Sequence, residues 1–399
     1  MKIAAGVLVC CLVCGYSAAQ DQSKPQAAAA LTVGKDGVIV RDGKPYRGIG
    51  INYFSAFTRT LANPEDTSYR EGFEELAKRG IPFVRFSACG FWPTNWKLYR
   101  EDKEKYFRLF DGVVKCAEEK GVGLIPSLFW HLPCVPDLVD ESCNQWGNPN
   151  SKTIAFMRTY TAEVVQRYKD SPAIWVWELG NEFSLAADLP NAADHRPPVY
   201  LNLGTRAARS AADDMTHDMI VTACRLFAEE VRKYDKQRPI TTGHSLPRAS
   251  AHHQRVEKSW TTDSKGELQA NLIDVTPDPM ALISIHVYPM DEKGRFNQEK
   301  TSYEELLTLC VQAAAKTGKA LFVGEFGASD TEKDGGPETA RKANIEMIAA
   351  IEKTRVPLAA LWVFDLSDQD SFINVSPTNH RAYLLDELKK ANQRLWEKQ

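Results

Sequence analysis

Short apolar runs alternate with helical patterns along almost the whole chain. The strand-like runs cover residues 48–53, 83–86, 123–129, 174–177, 238–242, 282–286, 320–324 and 358–363. The helical patterns cover residues 67–79, 106–120, 153–168, 213–234, 302–317, 338–353 and 382–397. This alternation is typical of parallel strands that carry helices on their outer side. It predicts an α/β fold, a (β/α)8 TIM barrel, with residues 31–399 in a single domain.

The first 30 residues differ from the rest of the chain. Residues 1–19 combine a basic residue, an apolar stretch and the small residues 17–19, which is the arrangement of a signal peptide. We expect cleavage near Ala19-Gln20 and a secreted or periplasmic mature protein. Residues 20–30 are polar and rich in alanine, and they predict a flexible leader.

Three further segments depart from the alternation. Residues 31–46 alternate in hydrophobicity around Asp42-Gly43, which predicts a β-hairpin that closes the amino-terminal mouth of the barrel. Residues 184–212 and 243–279 are long polar connections after the fourth and fifth strands. Because connections of this length are usually functional or mobile, we expect long loops that close one end of a cleft.

Charge and hydropathy exclude two classes of partner. The formal net charge is −3 and the isoelectric point is near 6.3, so the chain lacks the basic surface that nucleic acid requires. After residue 19 no apolar stretch approaches the length of a membrane span, so no membrane association is expected once the signal peptide is removed. Nothing in the sequence specifies an oligomeric state.

Six cysteines remain after residue 19. Cys134 and Cys143 are close enough in sequence to form a disulfide in an oxidising compartment, and we predict this bridge. The other predicted buried thiols lie on apolar faces of helices: Cys116, Cys224 and Cys310. Beyond residue 19 the chain contains no C-x-x-C or H-E-x-x-H motif, and His252-His253 point apart, so neither a metal nor another cofactor is expected.

Two of the predicted strands end in a glutamate. The run A-I-W-V-W-E-L-G-N-E-F delivers Glu182, and the run A-L-F-V-G-E-F-G delivers Glu325. A single glutamate at the end of a strand is ordinarily a solvated rim residue. Two of them at the same end of a barrel can flank one bond, and glycoside hydrolysis requires such a pair of carboxylates.

The residues that close the other strands complete a polar and aromatic ring: Arg85, Trp130, His131, Asn181, His286, Tyr288 and Trp362. With this ring and both glutamates, the stretch from Gly48 to Trp362 resembles glycoside hydrolase family five, in the clan of retaining (β/α) barrel glycosidases. The dipeptides are individually weak, but their order and their placement at strand ends are specific.

The resemblance implies a role for each charged residue. Glu182, which follows Asn181, matches the acid/base, and Glu325 matches the nucleophile. Arg85 matches the arginine beside the nucleophile, although it is also compatible with a simple ion pair in the core. Tyr288 resembles the tyrosine that donates to the nucleophile.

The resemblance also implies the sugar contacts. Asn181 would bond the 2-hydroxyl, Trp362 would be the platform under the sugar, and His286 and His131 would line the cleavage site. His131 is also compatible with a place in the Pro-rich loop that follows it. Glu178 precedes Glu182 by four residues and points the same way but deeper, so we interpret it as a buried carboxylate paired with a base such as Arg85.

A retaining double displacement follows from these roles, with a carboxyl separation of about 5 to 5.5 Å and with the pKa of Glu182 raised by its neighbour. W-E-L-G-N-E resembles the β-mannanase branch, whereas V-R-F-S-A-C-G-F-W is nearer to cellulases or exo-glycosidases. We therefore expect a β-1,4-linked polysaccharide or oligosaccharide, mannan slightly ahead of glucan. An exo-glycosidase, a transglycosylase and a non-catalytic polysaccharide-binding protein remain as alternatives.

Overall fold

A computed structural model describes residues 31–397 of the protein. The predicted signal peptide and flexible leader, together with residues 398 and 399, lie outside the described residues. No helix in the described part is both long and apolar enough to cross a membrane.

Eight parallel strands close into a barrel, as predicted. They are β1 Gly48–Asn52, β2 Phe83–Ser87, β3 Gly123–Phe129, β4 Trp177–Gly180, β5 Ile240–Thr241, β6 Leu282–Val287, β7 Ala320–Phe326 and β8 Leu358–Leu361. Each strand pairs with its neighbours in chain order, and β8 pairs with β1 to close the ring. Since all strands run the same way, their carboxyl ends meet at one mouth of the barrel.

Helices surround the barrel. They are α1 Ser55–Ala62, α2 Tyr69–Lys78, α3 Lys97–Glu101, α4 Lys103–Lys120, α5 Cys134–Leu138, α6 Lys152–Tyr168, α7 His217–Tyr234, α8 Ala251–Glu257, α9 Lys265–Asp274, α10 Tyr303–Lys316, α11 Gly336–Lys353 and α12 Tyr383–Trp396. Short 3₁₀ turns lie in the loops, at Pro93–Trp96, Cys143–Gly147, Phe183–Ala186, Ala192–His195, Leu201–Leu203, Ala211–Asp213, Pro289–Glu292, Glu332–Asp334 and Ser367–Gln369.

The amino-terminal segment forms a small antiparallel sheet of three short strands, Thr32–Val33, Ile39–Arg41 and Lys44–Pro45. Its apolar residues Leu31 and Ile39 are buried in one cluster with the inward-facing residues at the start of the barrel strands. The segment therefore covers the amino-terminal mouth of the barrel, as predicted.

The fourth strand lies later than predicted. The prediction placed it at residues 174–177, but the structure places it at Trp177–Gly180, with Ile174 joined to β3 by an isolated bridge. Trp175 is instead packed against Tyr46 and Phe83 at the bottom of the barrel. Residues 174–177 form a continuous apolar run because the run passes through two layers of the core. Hydrophobicity alone therefore does not show at which residue the strand begins to pair with its neighbours.

The long connection of residues 243–279 contains two helices that were not predicted, α8 and α9. Ser264 and Glu267 form a reciprocal capping box at the start of α9. Both helices are short and their exposed faces are mostly polar, so the sequence shows only a weak hydrophobic periodicity there. Residues 184–216 do remain a long loop, built of 3₁₀ turns.

The predicted disulfide between Cys134 and Cys143 is wrong. All six cysteines of the described chain are buried free thiols. The Cys134 sulfur accepts a hydrogen bond from the Trp96 indole at 3.2 Å, and Cys143 lies beside Asp213. Proximity in sequence did not translate into facing side chains, because the two residues begin different turns of the loop after β3. The predicted burial of the three other thiols is borne out.

Candidate active site

Two glutamates stand at the open mouth of the barrel, on strands that lie on opposite sides. Glu325 is the penultimate residue of β7, and Glu182 follows β4 in the left-handed conformation, with φ 56°. The Glu182 amide donates to the carbonyl of Gly243 at 2.9 Å. Gly243 itself has φ 73°, and a Cβ there would lie 1.9 Å from the carbonyl oxygen of Gly180. The turn that presents Glu182 thus depends on a glycine after β5.

His286, near the end of β6, lies between the two carboxylates. Its Nδ1 is 2.9 Å from Glu182 Oε1 and 3.5 Å from Glu325 Oε2. One oxygen of each carboxylate and a His286 ring nitrogen all lie within 4.8 Å of one another. The two glutamates therefore face each other across a gap wide enough for one reacting atom.

Arg85 is fully buried and connects the site. Its Nε donates to Glu178 at 2.8 Å, and its Nη1 donates to Glu325 at 2.7 Å. The Asn181 side-chain oxygen accepts from Nη2 at 2.8 Å, and that of Asn52 accepts from Nη1 at 3.1 Å. The prediction that Glu178 is a buried carboxylate paired with Arg85 is confirmed. Because Asn181 uses its oxygen here, its amide nitrogen is left to donate to a ligand.

Asn52 was not among the predicted site residues. Its side-chain nitrogen donates to the carbonyl of Gly324 at 2.9 Å, while its oxygen accepts from Arg85. It ties β1 to β7 and fixes the guanidinium. The signal was present, since Asn52 closes the first strand as the other site residues close theirs.

Arg85 and Tyr288 are both held in their protonated forms, Arg85 by neighbouring charges against the effect of burial and Tyr288 by burial and a neighbouring charge together. Burial lowers the pKa of Arg85, but the charges of Glu178 and Glu325 outweigh burial and raise it overall. Burial and the adjacent Glu325 raise the pKa of Tyr288 well above its ordinary range. The Tyr288 hydroxyl donates to Glu325 Oε2 at 2.6 Å, so each oxygen of Glu325 accepts one short hydrogen bond.

The predicted rise in the pKa of Glu182 is wrong for the free protein. Burial does raise this pKa, but the hydrogen bond from His286 and the interactions with His286 and Arg85 outweigh burial, and the pKa lies below its ordinary value. The expectation rested on repulsion by Glu325. Arg85 and Tyr288 each donate a hydrogen bond to that carboxylate, so the charge felt by Glu182 is largely compensated.

We expect His286→Ala to move the basic limb of the kcat/KM profile to higher pH, because the group that lowers the pKa of Glu182 is removed. The measurement is kcat/KM against pH on an aryl glycoside with a poor leaving group, which requires protonation. His252→Ala, on a half-exposed histidine that lies beside Glu267, is the control and should leave the limb in place. A limb that stays or moves downward would contradict the assignment.

A cavity of about 620 Å³ opens above these residues. The aromatic side chains on its wall are Phe54, Phe91, Trp92, Trp130, Tyr288 and Trp362, and it also exposes Asn181, Glu182 and Glu325. The rings of Trp130 and Trp362 have centroids 5.9 Å apart, and the Arg85 guanidinium lies 4.4 Å from the ring centre of Trp130. Aromatic faces beside a carboxylate pair suit the apolar faces of a sugar.

His131 does not line this cavity. It lies in a neighbouring one, with its ring stacked on Phe91 at 4.5 Å and its Nδ1 3.2 Å from the Phe91 carbonyl. Burial lowers its pKa to about 4, so the ring is neutral. The alternative interpretation, that His131 belongs to the loop after β3, describes its position better than a place beside Glu325.

The remaining tryptophans divide into packing and surface residues. Trp96 and Trp146 are completely buried, and Trp175 and Trp177 pack in the barrel. Trp260 is 54% exposed. Trp92 and Trp130 line the main cavity.

A second group with metal-ligand chemistry in the described chain is His253, Asp263 and Glu267. Asp263 accepts from His253 Nδ1 at 2.9 Å and from the backbone amide of His252 at 2.9 Å. Glu267 caps its own helix. These acceptors are already occupied by the protein, and the group is explained by helix capping.

The family model described as cellulase, glycosyl hydrolase family 5, matches residues 41–365. The chain belongs to glycosyl hydrolase family 5. The family and the enzyme class predicted from the sequence, a glycoside hydrolase, are confirmed at this level.

Two curated relatives of this family 5 protein are described as probable mannan endo-1,4-beta-mannosidase F, from Aspergillus flavus and Aspergillus oryzae. Each is 31% identical over 137 residues, and the match covers 28% of this chain and 28% of the relative. The chain thus spans little more than a quarter of the length of these relatives.

Solved structures share the fold over most of the chain. The endo-1,4-beta-mannanase from Rhizomucor miehei has a TM-score of 0.67 at 15% identity and covers 92% of this chain and 100% of its own. A beta-glucanase from Saccharophagus degradans, in complex with cellotetraose, has a TM-score of 0.55 at 17% identity, with 92% and 94% covered. At these identities the likeness shows the barrel and leaves the substrate open.

Proposed function

We propose that this family 5 protein cleaves β-1,4-linked polysaccharide or oligosaccharide, mannan ahead of glucan, with retention of configuration. The observation that carries the proposal is the carboxylate pair of Glu182 and Glu325, whose facing oxygens lie within 4.8 Å. Retaining glycosidases hold their carboxyl groups roughly 5 to 5.5 Å apart, whereas inverting ones leave about 6.5 to 9.5 Å for a water molecule. The narrow gap supports direct attack by a carboxylate.

In the first step the ionised Glu325 attacks the anomeric carbon, and Glu182 protonates the leaving oxygen as the glycosidic bond breaks. Arg85 and Tyr288 each donate a hydrogen bond to one oxygen of Glu325, which fixes the orientation of the carboxylate. In the second step Glu182 takes a proton from water, the water oxygen bonds to the anomeric carbon, and the ester to Glu325 breaks.

The low pKa of Glu182 has a consequence for this cycle. The hydrogen bond from His286 stabilises the ionised form, which is the form that the second step uses. The first step uses the protonated form, whose share falls as the pH rises above the pKa. We therefore propose an enzyme whose kcat/KM is greatest on the acidic side of neutrality.

The preference for mannan has two supports. The relatives that match by sequence are described as mannan endo-mannosidases, and several similar structures are described as mannanases, although glucanases share the fold. On the chain itself, the amide nitrogen of Asn181 provides a donor for a sugar at the cleavage point, and the neighbouring rings of Trp130 and Trp362 provide apolar surface.

The test is release of reducing sugar from mannan, glucomannan, carboxymethyl-cellulose, xylan and β-1,3-glucan, with Glu325→Ala as the inactive control. Proton NMR of the first product reports the anomer. We expect cleavage of mannan or glucomannan and a β product first. Cleavage of cellulose derivatives alone would replace mannan by glucan, and an α product would refute retention. No cleavage of any polymer or aryl glycoside would favour the binding-protein alternative.

A further inference from the structure

A cavity of about 340 Å³ lies at the opposite end of the barrel from the carboxylate pair. Residues 80–82 and 120–122, which directly precede β2 and β3, form part of its wall. The rest of the wall includes Arg41 and Tyr46 of the amino-terminal segment and Trp396 at the end of α12. Its volume is near the lower end of the range for small-molecule sites, about 300 to 1,000 Å³. The function proposed above leaves this cavity without a role.

Arg41 is a donor on this wall that the fold leaves unsatisfied. Its Nε is buried and has no hydrogen-bond partner within residues 31–397, and the same is true of the neighbouring Tyr46 hydroxyl. Buried polar groups of folded proteins are nearly always paired, so these two atoms need an explanation. The Arg41 side chain is 24% exposed and a guanidinium carries five N–H donors, so Arg41 can still donate to a ligand in the cavity.

Aromatic contacts fix the position of this guanidinium. It lies 4.5 Å from the ring centre of Trp175 and 5.4 Å from that of Tyr46. Trp175 is 2% exposed and belongs to the apolar cluster at the start of the barrel strands. The donor is therefore in place before a ligand arrives, which lowers the entropic cost of binding.

Acceptors and an aromatic surface complete the wall. Helices α2 and α4 end beside the cavity, where Gly80 and Gly121 have φ 66° and 67°. The last carbonyls of a helix lack partners within the helix, so these ends offer acceptors. A Cβ at either glycine would meet nothing within 4 Å beyond its chain neighbours, so a ligand can approach them. Trp396, on the same wall, is 41% exposed.

The charges on the wall favour a neutral ligand. Lys120 Nζ lies 3.3 Å from a carboxylate oxygen of Glu74, and Arg41 Nε lies 3.7 Å from one of Asp42. Each cation thus has a carboxylate beside it, and the carboxyl ends of α2 and α4 add partial negative charge. An anion would gain little here. Sugar hydroxyl groups both donate and accept hydrogen bonds, and the apolar face of a sugar suits an exposed indole.

We propose that this cavity is a separate saccharide site, which holds a neutral β-linked polysaccharide chain through the Trp396 indole and the Arg41 guanidinium. The choice of polymer rests on the function proposed above. Because the site lies at the closed end of the barrel, it takes no part in bond cleavage. Its effect is to keep the protein on its polymer, since a chain held at two sites dissociates more slowly than a chain held at one.

Affinity electrophoresis in native gels tests the proposal in the Glu325→Ala background, in which the polymer is not expected to be cleaved. The gels contain glucomannan, hydroxyethyl-cellulose or polygalacturonate, of which the last is anionic. We expect Trp396→Ala and Arg41→Met each to lower the association constant for a neutral polymer about tenfold. Trp260→Ala and Arg225→Met change an exposed tryptophan and an exposed arginine elsewhere, and they should leave this constant unchanged.

Unchanged retardation in both Trp396→Ala and Arg41→Met would overturn the inference, and so would retardation by polygalacturonate alone. Sedimentation shows whether Trp396 is instead covered by a second copy of the chain, and a dimer that Trp396→Ala dissociates would also overturn the inference.

Activity separates this site from the proposed function. In an otherwise wild-type chain, Trp396→Ala should lower the rate on insoluble mannan relative to the rate on p-nitrophenyl β-mannobioside, which is too short to span both sites. An equal loss on both substrates would count against a separate site. If the wild type hydrolyses neither substrate but its retardation depends on Trp396, the proposed function has failed and the saccharide site stands.

Discussion

Glu325→Gln is expected to lower kcat on the cleaved polysaccharide on the order of 10⁴-fold or more, since loss of a nucleophile removes the covalent route. The amide keeps the size of the side chain but cannot attack the anomeric carbon. Arg85 and Tyr288 donate to this group, so the amide also places a donor where an anion was. The measurement is reducing-sugar release together with a thermal melt, which shows that the variant is folded.

Added azide distinguishes the role of Glu182 from that of Glu325. In Glu182→Ala an aryl donor still forms the glycosyl-enzyme, and azide then attacks it from the face that water uses, which gives the β-azide. In Glu325→Ala azide occupies the place of the missing carboxylate and attacks the donor directly, which gives the α-azide. Glu346→Gln, on an exposed glutamate of α11, is the control and should keep full activity. The same anomer from both variants would contradict the assigned roles.

Arg85→Met is expected to destabilise the protein by about 3 to 5 kcal/mol and to abolish activity. Glu178 has no exposed surface and Glu325 is 6% exposed, so removal of the guanidinium leaves two buried carboxylates without their cation. The measurement is the free energy of unfolding in urea. Arg225→Met, which breaks an exposed pair with Glu229, should change it by less than about 1 kcal/mol.

A double variant tests whether the orphaned carboxylates cause the loss of stability in Arg85→Met. Arg85→Met with Glu178→Leu should recover much of the lost stability, because one of the two orphaned carboxylates is gone. Activity should stay absent, since Glu325 still lacks the donor to its Oε1. Recovered activity in the double variant would show that Arg85 serves the core alone. That result would favour the simpler ion-pair interpretation of this arginine.

The sequence was sufficient to predict that five residues meet at one mouth of the barrel. They are Arg85, Glu182, His286, Tyr288 and Glu325. In a closed parallel barrel every strand has its carboxyl end at the same mouth, so residues far apart in the chain meet if each closes a strand. The strand positions needed to be right only within a few residues. The fourth strand was misplaced by three residues, yet Glu182 still followed it at the mouth.

The positions of side chains in the loops could not be predicted from the sequence in the same way. His131 closes β3 as Glu182 closes β4, but its ring turned toward Phe91 and a second cavity. Arg248 lies in a segment with no strand pattern, and it lines the second cavity together with Glu182, where its guanidinium donates to the carbonyl of Leu185. The predicted disulfide between Cys134 and Cys143, in the loop after β3, is wrong for the same reason, because a loop has no periodicity that fixes where its side chains point.

The sequence by itself therefore determined the barrel, the two glutamates and the polar ring around them, since strand periodicity and parallel topology carry that information. Tertiary structure alone decided the protonation of Glu182. The direction in which its pKa shifts depends on a 2.9 Å contact with His286 and on the hydrogen bonds that Arg85 and Tyr288 donate to Glu325. Electrostatic effects change with distance and burial over a few ångströms, and residue order does not specify either quantity.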